Sequence, residues 1–276
     1  MPYVSEIDFH FKKNNKEFRQ AMLRPEIDFS PEDVLAAFPH NPKPLVVSIE
    51  SLASHPLNLS EGGGALIARR LKVAFPDAHI CFVVRNQFDA IESMALELLN
   101  GGGAGGLSVN RFMTMAKHLH FDLSYFRYSK LISFYQSLFG EDCVHVLLLE
   151  ELGADQRKFI EDFLLPLGIQ PPNTWDHSRV RERITPFGYA FLLVANLPRY
   201  GSLNPRGVVY GERLAKAISL GTHSLNRLYD RMPILGRSFT LLNRKNREFI
   251  RGYYKESNKS LARTVNKDLS EFGYPL

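Results

Sequence analysis

Three short apolar runs, separated by longer stretches of helical pattern, constrain the fold of this chain most strongly. The runs are rich in β-branched residues and leucine, and they span Leu45–Glu50, Ala78–Val84 and Val144–Leu149. Uniformly apolar strands of this length are typical of parallel sheets that helices cover on both faces. Strands that alternate with helical stretches therefore predict an α/β fold with a largely parallel sheet.

Helix signals fill the rest of the chain. Ser30 followed by Pro31 is typical of an N-cap and a first helical residue, so a short helix is predicted from there to Phe38. From Asp155 onward the pattern is almost entirely helical. The other predicted helices are Gly64–Phe75, Phe88–Leu99, Leu123–Phe139, Asp155–Leu165, Pro186–Asn196, Glu212–Tyr229 and Arg247–Leu269.

Length and composition indicate one ordinary globular domain. The chain has 276 residues, 45% of them hydrophobic and 23% charged, which is enough to bury a substantial core. We expect a single domain over 1–276, with an α/β core in 1–152 and a helical half in 153–276. The apolar runs are too short to span a bilayer, the N-terminus lacks a signal-peptide pattern, and the two cysteines lie in apolar segments. We therefore expect a cytoplasmic protein with reduced thiols and no membrane span.

The basic charge is concentrated near the C-terminus. The net charge is +5, and Gly211–Leu276 carries thirteen Lys and Arg against six Asp and Glu. These charges follow helical sequence without interleaved stacking aromatics or a nucleic-acid recognition motif. We expect an anionic small molecule or a glycan as partner, and no nucleic acid.

Polar residues follow each predicted strand, where ligands bind in open parallel sheets. Glu50 ends the first run, Arg85 follows the second, and Glu150 and Glu151 follow the third. An arginine at such a strand end is a good phosphate receptor, because its planar fork is permanently charged. Ser93 lies eight residues later on the polar side of the next predicted helix.

This combination resembles a known family. The segment Ile80–Arg85 followed by Asn86–Ser93 resembles the 3′-phosphate-binding signature of sulfotransferases that use 3′-phosphoadenylyl sulfate (PAPS). Tyr128–Glu151 is similar to that family's helix, strand and acidic segment, and Tyr253–Tyr274 to its usual C-terminus. The resemblance covers roughly 45–152 and 247–276, in the family's order. One departure is that Asn86-Gln87 stands where the family often has Asp-Pro.

The resemblance implies a P-loop NTPase-like three-layer domain that binds PAPS. Arg85 and Ser93 are then the expected ligands of the nucleotide's 3′-phosphate, through a bidentate guanidinium contact and a hydroxyl donor. No metal is expected. The implied reaction is transfer of a sulfuryl group from PAPS to a hydroxyl or amine of an acceptor, which we expect to be a glycan or a small alcohol.

A second departure is larger. Family members begin with a strand and a loop of the Pro-Lys-x-Gly-Thr-Thr kind that holds the 5′-phosphosulfate, and no such stretch occurs in this sequence. Three explanations of the missing loop are ranked here from most to least favoured. The sequence is a fragment or has a misplaced start codon, the protein is a degenerate binding module, or it holds the phosphosulfate in another way. We expect the chain to be poorly active or inactive. We also expect its sheet to lack a central strand, which would expose the edges of that strand's neighbours.

Candidate catalytic residues follow from the chemistry of sulfuryl transfer, which needs a base for the acceptor proton and cations for the leaving phosphate. Glu50 is the preferred base, because it lies at a predicted strand end. His55 is second, since its ordinary pKa is near neutrality. Glu6 and His10 share third place, because their segment resembles the acidic-aromatic segment that carries the base in glycan sulfotransferases. The candidate cations follow one another closely in a segment where relatives place a basic loop over the nucleotide: Arg179, Arg181 and Arg183.

Two other functions stay open at this point. One is a degenerate, non-catalytic module that binds a nucleotide or a glycan. The other, more distant, is a P-loop-type kinase, which would need a GxxxxGK[ST] motif that this sequence lacks.

Overall fold

The computed structural model describes residues 8–11, 22, 29–36, 45–48, 52, 63–101, 106–115, 122–171, 184–199, 207–231 and 240–276. The chain divides into two compact units. The first comprises Met1–Asn86, His120–Trp175 and Tyr254–Leu276, and the second comprises Gln87–Leu119 and Asp176–Tyr253. The single domain with halves 1–152 and 153–276 stays a prediction.

In its described residues, the first unit has four short strands that form two parallel pairs. They are β1 (Asp8–Phe11), β2 (Leu45–Ser48), β3 (Ile80–Val84) and β4 (Val144–Leu148). β1 pairs with β2, and β3 pairs with β4. The three predicted strands are confirmed. β1 was not predicted, because its four residues alternate between polar and aromatic types and resemble no buried run.

The helices of the first unit follow the predicted order with two corrections. They are α1 (Pro31–Ala36), α2 (Gly63–Ala74), α5 (Tyr128–Phe139), α6 (Leu149–Ala154) and α7 (Gln156–Leu164). The predicted helix over 123–139 is wrong in its first turn. The carboxylate of Asp122 accepts a hydrogen bond from the Ser124 N–H at 2.7 Å and caps a separate 3-10 turn, Leu123–Phe126. Arg127 leaves the helical region with ψ 66°, so the α-helix begins only at Tyr128.

The second correction concerns the residues that follow β4. Glu150 and Glu151 were expected at the tip of the third strand, but they form the first turn of the short helix α6. Acidic side chains are favourable in that position because they face the positive end of the helix dipole.

Helices cover β2 on both faces. Val47 packs against the main core cluster, which includes Ile67 of α2 and Tyr135 of α5. Val46 packs against a second cluster, formed by Leu164 of α7 and neighbouring residues. Because successive strand residues point to opposite faces, the two clusters lie on opposite sides of this strand.

The second unit is helical in its described residues. It contains α3 (Gln87–Gly101), α4 (Val109–Met115), α8 (Pro186–Asn196), α9 (Glu212–Asp230) and the first part of α10 (Arg244–Val265). The hydroxyl of Thr185 caps α8 by accepting from the Gly188 N–H at 3.2 Å, and the Asn226 side chain of α9 accepts from the Thr185 N–H at 3.0 Å and from its hydroxyl at 2.8 Å. A Cβ at Gly188 would lie 2.2 Å from that Asn226 oxygen, so this helix contact requires glycine.

The helix α10 buries one face. Ile250, Tyr254 and Leu261 are fully buried along one side of it. In the part of the chain that the structure describes, no helix is both long enough and apolar enough to cross a membrane.

Candidate functional site

The candidate site lies at the carboxyl ends of β3 and β4. Arg85 and Asn86 follow β3 directly, and Glu150 lies two residues after β4. Val84 pairs with Leu148 at the last position of the parallel register, so both strands end at the same edge. This is the edge at which open parallel sheets bind ligands.

Glu150 holds the backbone that follows Arg85. Its Oε1 atom accepts hydrogen bonds from the backbone N–H of Asn86 at 2.8 Å and from the Asn86 Nδ2 at 3.0 Å. Asn86 is buried, with 6% of its surface exposed, so these bonds satisfy donors that water does not reach. An aspartate at position 86 would place a second carboxylate against Glu150. The asparagine therefore fits this site better than the acid that the resembled family often has there.

Tyr128 holds the other side of Arg85. Its hydroxyl, at the first residue of α5, donates to the backbone carbonyl of Arg85 at 2.9 Å. Burial raises the pKa of Tyr128, so the phenol stays protonated and remains a donor at all ordinary pH values. The main chain at Arg85 is thus fixed through its own carbonyl and through the amide that follows it.

The C-terminal tail contacts the side chains of both Glu150 and Glu151. The hydroxyl of Tyr274 donates to Oε2 of Glu150 at 3.3 Å, and Lys267 forms an ion pair with Glu151 at 2.5 Å. Burial, with the nearby charge of Glu150, raises the pKa of Tyr274 and keeps it protonated. The tail resembles the family's terminus in sequence, and these contacts show that it supports the end of β4.

The structure places two of the predicted site residues. Arg85 is half-buried at the end of β3 in the first unit, and Ser93 is half-buried on α3 in the second unit. Their joint binding of one phosphate stays a prediction. His10 lies in β1, and its side chain is not described. The remaining candidates lie outside the described residues: Glu6, Glu50, His55, Arg179, Arg181 and Arg183.

The sequence did not predict which residues hold the backbone at Arg85. Tyr128 and Tyr274 lie within the segments that carry the family resemblance, but nothing in the sequence connects either of them to a site. The contacts join residues 43, 64 and 124 positions apart, so no local pattern reveals them. The only sequence signal that pointed to these contacts was the pair of acidic residues, Glu150 and Glu151, after an apolar strand.

A metal site is not evident in the described ranges, where no three or more His, Cys, Asp or Glu side chains are grouped to hold an ion. The Arg85 guanidinium at the end of β3 is of the type that binds anions, because it is permanently charged and carries several hydrogen-bond donors.

Comparison with known proteins gives one finding. No protein-family model matches the chain, and no characterised protein matches it by sequence. Its structure is similar to the crystal structure of a sulfotransferase from Alicyclobacillus acidocaldarius, with a TM-score of 0.54. The chain has a sulfotransferase fold. The similarity covers 97% of this chain and 88% of that one at 14% sequence identity, and it confirms the resemblance at the level of the fold.

Proposed function

We propose that this chain binds PAPS through its 3′-phosphate at the carboxyl end of β3, with Arg85 as the main ligand. The observation that carries the proposal is the arrangement around this arginine, in a chain with a sulfotransferase fold. Tyr128 and Glu150 hold its backbone by hydrogen bonds of 2.9 and 2.8 Å.

The residues at this edge fit a phosphate group. A guanidinium makes charge-assisted, bidentate hydrogen bonds to phosphate oxygens, and these bonds are stronger when the backbone behind the side chain is rigid. Ser93 is the proposed second ligand, as a hydroxyl donor. The positive charge of the chain, concentrated in Gly211–Leu276, would help to attract a nucleotide that carries several negative charges.

The proposed reaction is transfer of a sulfuryl group to a hydroxyl or amine, on a glycan or a small alcohol. Bound PAPS would supply the activated sulfuryl group and leave as 3′,5′-adenosine diphosphate. Glu50 follows β2 by two residues in the sequence, and we propose it as the base that takes the acceptor proton, with His55 as second choice. Arg181 and Arg183 are the proposed cations beside the nucleotide.

The finer architecture belongs to the same proposal. It is a P-loop NTPase-like three-layer domain over 1–276 in a cytoplasmic enzyme. The covering of β2 by separate clusters on its two faces supports the layered arrangement.

Calorimetry with 3′,5′-adenosine diphosphate tests the nucleotide site. Hydrogen bonds to charged groups contribute about 1.5–3 kcal/mol each, so Arg85→Ala should weaken binding roughly 10- to 150-fold. Arg85→Lys should recover part of the loss, because it keeps the charge but not the fork. Arg157→Ala is the matched control, since Arg157 is an exposed arginine that pairs with Glu161 on α7. Equal affinity of wild type and Arg85→Ala would overturn the proposal.

Sulfate transfer from labelled PAPS to a panel of sugars and small alcohols separates the enzyme from a non-catalytic module. Transfer that Arg85→Ala reduces in step with nucleotide affinity supports the enzyme. Nucleotide binding without transfer to any acceptor would favour the binding module instead.

A further inference from the structure

The helix α8 of the second unit has an exposed face that is entirely apolar. All four of its exposed residues are apolar, namely Phe187, Ala190, Phe191 and Val194. They recur at steps of three and four residues or less, so they form one stripe along the helix. The other side of α8 is buried through Gly188, Leu192 and Asn196. The exposed stripe thus lies on the side of α8 that turns away from its own core.

This stripe is more than a scatter of single apolar residues. Val194 is 66% exposed and Phe187 is 42% exposed. A helix on the surface of a protein usually carries polar residues on its outer face, whereas α8 carries none there. Contiguous apolar patches with a polar border mark sites of interaction with proteins or membranes.

The apolar stripe continues onto α9. Phe191 lies against Gly221 of α9, where an added Cβ would be 2.9 Å from a carbon of its ring. Phe187 packs edge-on against Tyr229 of α9, with the ring centroids 5.4 Å apart. Gly221 shares one side of α9 with three exposed residues at helical spacing, which are Leu214, Ala217 and Leu228.

The two helices therefore form one continuous apolar face, which we call the α8–α9 surface. It consists of Phe187, Phe191, Val194, Leu214, Ala217 and Leu228.

Basic residues border the α8–α9 surface. Arg213 and Arg227 are exposed and lie two heptads apart on α9, beside the row of Leu214 and Leu228. From Arg213 to Tyr229 the sequence contains three Lys and Arg and no Asp or Glu. An apolar face with a basic border complements the surface of a membrane, which is apolar inside and carries anionic headgroups at its boundary.

We propose that the α8–α9 surface docks onto a membrane that contains anionic phospholipids. Its apolar side chains would enter the acyl-chain boundary, and Arg213 and Arg227 would pair with headgroup phosphates. A helix pair docked in this way lies in the plane of the interface and does not cross the bilayer. The inference does not depend on the proposed nucleotide site.

Charge favours a membrane over a second copy of this chain as the occupant. Two copies that met through the α8–α9 surface would bring their basic borders together, and juxtaposed like charges disfavour association. An anionic lipid surface meets the same border with opposite charge.

Flotation of the full chain with lipid vesicles tests the proposal. One set of vesicles is pure phosphatidylcholine, and the other contains about 30% phosphatidylserine as the source of negative charge. We expect binding to the mixed vesicles and at least about tenfold weaker binding to the neutral ones. Raising the salt from about 0.1 M to about 0.5 M should weaken binding to the mixed vesicles, because salt screens the arginine contacts.

A matched pair of valine variants locates the apolar contact. Val194→Glu places a carboxylate in the α8–α9 surface, and it should weaken binding to the mixed vesicles about tenfold or more. Val73→Glu makes the same change at a valine that is 61% exposed on α2 in the first unit, and it should bind as wild type. Circular dichroism checks that both variants are folded.

A second pair of variants tests the basic border. Each Lys or Arg near an anionic surface strengthens binding by a factor of about five, so Arg213→Gln combined with Arg227→Gln should weaken it about 25-fold. The control combines Arg157→Gln with Arg263→Gln, which removes the same charge from two exposed arginines of the first unit. If Val194→Glu does not fold, this pair decides the outcome.

Four results would each overturn the proposal. They are no binding to the mixed vesicles, equal binding to the two kinds of vesicle, equal affinity of a folded Val194→Glu and Val73→Glu, and equal affinity of the two arginine variants. Sedimentation velocity adds a fifth, because a dimer of the wild type that Val194→Glu dissociates would assign the α8–α9 surface to a second copy instead.

Discussion

Removal of the Glu150 carboxylate is the most informative perturbation of the site. Glu150→Ala deletes the acceptor for the Asn86 backbone and side chain, at 2.8 and 3.0 Å, and for the Tyr274 hydroxyl at 3.3 Å. Asn86 has only 6% of its surface exposed, so its backbone and side-chain donors lose this acceptor in a place that water reaches poorly.

The size of the effect follows from these contacts. Each of the two short bonds to a carboxylate contributes about 1.5–3 kcal/mol, and the bonds share one acceptor, so their effects do not add fully. We expect Glu150→Ala to lower the free energy of unfolding by about 3 kcal/mol. Glu150→Gln keeps an oxygen acceptor and should lose about 1 kcal/mol.

Urea unfolding followed by circular dichroism measures these differences as shifts of the midpoint at constant slope. Glu161→Ala is the matched control, because Glu161 forms an exposed ion pair with Arg157 and should change stability by less than about 0.5 kcal/mol. Calorimetry on folded Glu150→Gln should show weaker binding of 3′,5′-adenosine diphosphate than wild type, since Glu150 holds the backbone that follows Arg85. A loss in Glu150→Ala no larger than that in Glu161→Ala would refute the reasoning.

Three further changes test other parts of the structure. Tyr128→Phe removes the donor to the Arg85 carbonyl and should lower the free energy of unfolding by about 1 kcal/mol in urea, whereas no change would show that the bond contributes nothing. Burial, with His79 next to it, lowers the pKa of His145, so stability should fall as the pH drops below about 6.5, and His145→Gln should flatten that part of the pH profile. Gly188→Ala puts a methyl group 2.2 Å from the Asn226 side chain and should lower thermal stability by about 2 kcal/mol, and a variant as stable as wild type would contradict the close helix contact.

Local sequence signals predict the elements well where start and stop residues are strong. The helix α8 has its predicted bounds, because Thr185 caps it and Pro186 occupies its first position. The predicted helix over 123–139 fails where Asp122 caps a separate turn, which apolar periodicity does not reveal. The strand β1 escapes notice because it is short and becomes a strand only by pairing with β2.

The site is predictable only in part, because local sequence signals do not reveal contacts between distant residues. The position of Arg85 follows from a general rule about strand ends, which needs nothing but the neighbouring sequence. Its supports come from α5, α6 and the C-terminal tail, and those contacts exist only after the chain has folded. A missing central strand was also expected, from the absence of a loop motif, and this stays a prediction. Among the described residues, the strands form two parallel pairs.

The central claim is that Arg85 recognises a 3′-phosphate, and a comparison of two nucleotides tests it most directly. Calorimetry would measure 3′,5′-adenosine diphosphate and 5′-adenosine monophosphate, which differ by that phosphate, on wild type, Arg85→Ala and Arg157→Ala. We predict that wild type and Arg157→Ala prefer the diphosphate by about tenfold or more and that Arg85→Ala loses this preference. The same preference in Arg85→Ala as in wild type would contradict the account.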